Sequence, residues 1–119
     1  MTEQMITETS PADAARLAAL RLLADQPQLS QRELSAALGL SLGKTHYVLH
    51  ALLDKGLVKA RNFKRSDNKL AYAYVLTPSG LHERLRLTRA FLARKETEFV
   101  ALEQSIADLR AELNVAPGS

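Results

Sequence analysis

The sequence predicts a mainly α-helical fold carrying one small β-hairpin, and three observations support that prediction. Capping signatures open three helices before Lys55, the apolar period switches from helical to alternating just after Gly56, and a heptad repeat runs from Leu81 to Leu113.

Residues 1–9 lack periodicity and read as a disordered tail. Ser10-Pro11-Ala12-Asp13 then supplies an N-cap hydroxyl, a proline at the first helical position and an acid at the positive helix end. Leu17, Leu20 and Leu23 follow at helical spacing, so this helix is expected to reach Asp25, before Gln26-Pro27.

Ser30-Gln31-Arg32-Glu33 is a capping box, with Leu34, Ala37 and Leu38 as the inner face and Gly39 as a left-handed stop. Ser41 caps a third helix, residues 41–55, whose Thr45, Val48, Leu49, Leu52 and Leu53 form one apolar stripe ending at Lys55-Gly56. Two short helices joined by Gly39-Leu40-Ser41 make a helix-turn-helix.

Beyond Gly56, residues 57–61 and 70–76 read as strands around a polar tip, Asn62 to Lys69. This hairpin is a wing (residues 59–70), and residues 10–76 together predict a winged helix-turn-helix domain. Thr77-Pro78 starts a last helix, residues 77–114, with a tail at 115–119. Its seam, Leu81, Leu85, Thr88, Leu92, Lys95, Phe99, Leu102, Ile106, Leu109 and Leu113, alternates spacings of four and three.

At 1.5 Å per residue the seam from Leu81 to Leu113 gives a helix about 50 Å long, more than so small a domain can cover. It is therefore expected to pair with a second copy as a coiled coil, giving a homodimer through Leu85, Leu92, Phe99, Leu102, Ile106, Leu109 and Leu113. Cations (Arg84, Arg86, Arg89, Arg94, Lys95) precede acids (Glu96, Glu98, Glu103, Asp108, Glu112) along it. Parallel pairing sets Arg84 near Arg89 and Glu98 near Glu103, whereas antiparallel pairing brings Arg84 toward Glu112 and Arg89 toward Glu103, so an antiparallel contact is expected.

The 119 residues suit one domain plus an extension, and 5% aromatics imply an aliphatic core. The net charge of +3 is modest, but Lys55, Lys59, Arg61, Lys64, Arg65 and Lys69 crowd one stretch in which Asp67 is the only acid. With no cysteine, disulfides and cysteine-ligated zinc are excluded, and a reducing compartment fits. The opening residues lack basic charge and a long apolar run, so the expected location is the cytoplasm, without a membrane segment.

Placing the stripe of the third helix in the core turns Gly43, Lys44, His46, Tyr47 and His50 outward, toward the major groove of double-stranded DNA. Ser41 and Gly43 let the helix N-terminus approach the backbone; Lys44 can address guanine or phosphate, and Tyr47 and the histidines can hydrogen-bond base edges. Arg61, Lys64, Arg65 and Lys69 in the wing would neutralise phosphates. His46 and His50 have the spacing of a zinc pair, but no third ligand is evident, so no metal and no cofactor is expected. No catalytic triad context or glycine-rich phosphate loop is present, which argues against an enzyme.

The order of elements resembles the winged-helix regulators of the MarR family. The landmarks are Ser30-Gln31-Arg32-Glu33-Leu34 through Leu57-Val58, the wing segment Ser66-Asp67-Asn68-Lys69, and Leu76-Thr77-Pro78-Ser79-Gly80. Ser41-Leu42-Gly43-Lys44 and Lys59-Ala60-Arg61-Asn62-Phe63-Lys64 are most similar to the short regulators associated with exopolysaccharide genes. The resemblance implies a homodimeric transcription regulator, with Asp67 orienting a wing-tip cation that enters the minor groove. Lys69 stands where the family commonly carries that arginine, and lysine lacks the planar fork. The competing reading is a winged helix used as a protein interaction or assembly module through its coiled coil. No residue constellation announces a small-molecule effector.

Overall fold

The computed structural model describes residues 10–115; the tail expected at 1–9 and residues 116–119 of the tail expected at 115–119 lie outside the described residues, whereas Val115 is described and its N–H donates to the Ala111 carbonyl at 3.1 Å. Helices α1 (Pro11–Asp25), α2 (Gln31–Leu38) and α3 (Leu42–Asp54) precede strands β1 (Val58–Lys64) and β2 (Leu70–Leu76), and α4 (Pro78–Asn114) follows. Two compact units result, one over Ser10–Thr88 and one from Arg89 onward.

Local chemistry sets the helix ends. In α1, Ser10 Oγ accepts from the Asp13 N–H at 3.0 Å and Asp13 returns the contact to the Ser10 N–H at 3.2 Å, closing a full capping box. Ser30 and Glu33 repeat it at 3.1 and 2.9 Å in α2. Ser41 Oγ accepts from the Lys44 N–H at 3.1 Å to open α3. Gly39 ends α2 at φ 69°, where a side chain would be strained. The turn that follows is locked twice, by the Leu40 N–H on the Ser35 carbonyl and by Ser35 Oγ donating to the Leu40 carbonyl.

The core of the first unit is aliphatic. Leu17, Leu20 and Leu23 of α1 meet Leu34 of α2 and Leu49 and Leu52 of α3, all buried, with Leu57, Val58, Ala73 and Leu87. Thr45 is also fully buried, and its hydroxyl is satisfied by donating to the Ser41 carbonyl at 2.9 Å. The inner face expected for α2 is narrower than its apolar residues suggest: Leu34 is buried, Leu38 half-buried and Ala37 exposed.

The hairpin corrects the expected strand limits. β1 continues to Lys64 because Asn62, Phe63 and Lys64 pair with Tyr72, Ala71 and Leu70, so the tip shrinks to Arg65–Lys69. The Asn68 N–H bonds the Arg65 carbonyl at 2.9 Å and the Arg65 N–H bonds the Lys69 carbonyl at 2.8 Å. Asn68 takes φ 67°, the left-handed position such a three-residue loop requires and which asparagine tolerates. The wing is fastened to the helices by the Tyr74 N–H, which donates to the Pro27 carbonyl at 2.8 Å.

The first turns of α4 pack in the same unit as the helices. Thr77 Oγ1 donates to the Gly56 carbonyl at 2.6 Å and caps the Gly80 N–H at 3.0 Å. Buried Gly80 rests directly on the Leu57 backbone. Farther along α4, Leu92, Phe99, Leu102, Ile106, Leu109 and Leu113 are all exposed.

Candidate nucleic-acid interface

Helix α3 divides into a buried and an open face. Thr45, Leu49 and Leu52 are buried and Val48 is half-buried, whereas Ser41, Gly43, Lys44, His46, Tyr47 and His50 are exposed. The residues expected to face outward do so because 100° per residue carries them opposite the stripe. Tyr47 is 77% exposed and a Cβ on Gly43 would meet no atom within 4 Å, so the helix surface is open to a partner.

The two histidine rings are in contact on this face, centroids 4.1 Å apart and planes tilted by 47°. His46 Nδ1 is 3.2 Å from Gln31 Oε1, so the first residue of α2 sets the ring's orientation. Gln31 has no sequence signature for this role; only the crossing of α2 and α3 brings it there. Among the described residues no group of three or more histidine, aspartate or glutamate side chains could hold a metal ion.

Arg61, Lys64, Arg65, Asp67 and Lys69 are all exposed on the wing. The structure separates their roles at the tip. Asp67 Oδ1 accepts from the Lys69 backbone N–H at 3.1 Å, and the same oxygen lies 3.8 Å from Arg65 Nε. The side chain held by Asp67 is thus Arg65, on the β1 side of the turn, rather than Lys69. A groove of about 650 Å³ separates the wing from the start of α2, lined by Ser30, Gln31, Glu33, Lys64, Arg65 and Tyr72. Glu33 on its rim is held below the usual carboxylate range, first by its hydrogen bonds with Ser30 and also by the positive charge of Arg65. A second cleft, about 420 Å³ and mostly apolar, lies between the start of α1 and α3, with Pro11, Ala15, Leu40, Tyr47 and Val48 among its walls.

An outward helix beside a cationic hairpin has the layout of a DNA reader, and residues 13–59 match the family model for winged helix-turn-helix DNA-binding domains. The chain has the winged helix-turn-helix fold, with a long C-terminal helix.

Solved structures with this winged helix-turn-helix fold are similar over most of the chain. The PcaV transcriptional regulator of Streptomyces coelicolor, in complex with its natural ligand, is 27% identical over 92% of this chain and 77% of that one, with a TM-score of 0.58. The MarR family protein Rv2887 of Mycobacterium tuberculosis, in complex with p-aminosalicylic acid, is 19% identical over 84% and 77%, with a TM-score of 0.58. A variant of Staphylococcus aureus MepR bound to an oligodeoxyribonucleotide is 19% identical over 95% and 83%, with a TM-score of 0.57. No curated protein matches the chain in sequence. Among the described residues no helix is long and apolar enough to cross a membrane.

Proposed function

We propose that this winged helix-turn-helix chain is a sequence-specific, double-stranded DNA-binding transcription regulator of the MarR type that acts as a homodimer. The observation that carries the reading is the open face of α3: Lys44, His46, Tyr47 and His50 are all exposed along the face that a recognition helix presents to the major groove. The wing cations Arg61, Lys64, Arg65 and Lys69 supply phosphate or minor-groove contacts beside it. The likeness to the oligonucleotide-bound MepR variant supports the same partner class. The exposed apolar seam of α4 supports self-association, and its segregated charges favour antiparallel pairing. Control of exopolysaccharide genes rests on the resemblance of Ser41–Lys44 and Lys59–Lys64 alone.

The experiment is a fluorescence-anisotropy titration of the full chain against random and selected duplexes at two salt concentrations, with Lys44→Ala and Arg65→Ala. The regulator requires tight, salt-dependent binding in which Lys44→Ala erodes selectivity and Arg65→Ala weakens every duplex. The exposed seam also suits an assembly module, and absence of binding at low salt would transfer the reading to that alternative.

A further inference from the structure

The outward face of α3 is notable for three side-chain types it does not contain. Between Leu42 and Asp54 there is no arginine, asparagine or glutamine, the side chains that read guanine or adenine through paired hydrogen bonds. Lys44 is the one cation in that helix, and the neighbouring amide of Gln31 is engaged with His46. In their place stand two large side chains with much apolar surface in water, Leu42 at 49% and Tyr47 at 77% exposure.

Such exposure is unfavourable until a partner covers it, and the edges of base pairs in the major groove offer one apolar group, the C5-methyl of thymine. Leu42 and Tyr47 are five residues apart, roughly 7 Å along the helix axis and about 140° apart around it, so they stand on the two flanks of the open face. Lys44 lies between them in sequence, and the wing of the same unit exposes Arg61, Lys64, Arg65 and Lys69, whose charge complements phosphate rather than a lipid tail or an apolar protein groove.

We infer that Leu42 and Tyr47 read thymine methyl groups, so that the half-site is A·T-rich, with Lys44 addressing a guanine or a phosphate. The inference rests on the DNA-binding reading of α3 and names the sequence class that helix takes. His46 and His50 are left to accept from or donate to base edges on the flank of the same contact.

The test replaces thymine by deoxyuridine, which removes only the methyl. A duplex is first selected from a random pool with the full chain, and anisotropy then compares it with versions carrying deoxyuridine at each half-site. For the wild type, each methyl removed from the contact should weaken binding about fourfold. For the Leu42→Ala/Tyr47→Ala double variant, whose fold circular dichroism would verify, the same change should matter by less than about twofold. Selected sites that bind tightly yet are indifferent to methyl removal in the wild type would overturn the inference while leaving the DNA-binding reading intact. Failure to bind any duplex would overturn both.

Discussion

Arg16 of α1 donates through Nη1 to Glu83 Oε2 of α4 at 3.0 Å. Both side chains are largely shielded, and Arg86 adds two further bonds to the same carboxylate at 2.7 and 3.0 Å. The pair ties the first helix to the opening turns of the last across 67 residues of sequence. It holds one corner of the domain by charge, whereas the core of the unit is aliphatic.

That carboxylate sets a pH dependence. Glu83 is held below its ordinary range, first by the hydrogen bond from Arg86, with burial opposing and Arg16 reinforcing. A depressed folded value means the stabilisation is fully present above the unfolded value, near 4.3, and is lost as pH falls through the folded one. Glu83→Gln should cost about 1 kcal/mol at pH 7 by urea denaturation, with the difference from wild type closing at lower pH. A gap that persisted unchanged down to the acid unfolding of the wild type would show that packing, not charge, holds the corner.

At Gly80 the limit is steric. A Cβ there would fall on the Leu57 carbonyl, a backbone atom that cannot swing aside, so Gly80→Ala must displace the start of α4. Thermal denaturation should show a loss of about 1–3 kcal/mol, typical of overpacking. Gly43→Ala, in open space, serves as the control, with a far smaller effect.

Salt dependence resolves the wing. If Lys64, Arg65 and Lys69 each neutralise a phosphate, single alanine variants should weaken binding to all duplexes alike and lower the slope of log affinity against log salt by about one each. Asp67→Ala frees Arg65 from its partner at 3.8 Å and removes a negative charge from the tip, so it should strengthen binding to all duplexes alike, with folding stability little changed. A variant that altered base preference instead would move that residue into the reading set.

The seam of α4 predicts an orientation. Phe99→Glu should yield monomers by analytical ultracentrifugation, since Phe99 is exposed in the single chain and central to the seam. Because the sequence has no cysteine, Ala111→Cys gives one spin label per protomer. Antiparallel pairing with Phe99 beside Lys95 of the partner places the two labels about 40 Å apart at 1.5 Å per residue. Labels in near contact would establish the parallel arrangement.

Spacing along the chain determined a great deal by itself. The capping serines Ser10, Ser30 and Ser41, the left-handed Gly39, the buried stripe of α3 and hence its outward face depend only on residues within a few turns of one another. The α4 seam was equally visible, because heptad spacing is local. What tertiary structure alone decided involves residues brought together from afar. Asn62–Lys64 join the ladder because β2 offers partners, Tyr74 finds Pro27, Gly80 meets Leu57, and Leu87, off the seam, is buried in the first unit. At the wing tip, the turn geometry gives Asp67 to Arg65 rather than to the Lys69 side chain. The physical reason is the same in each case: caps and periodicities are short-range, whereas a carbonyl or carboxylate chooses its distant partner only once the helices have crossed.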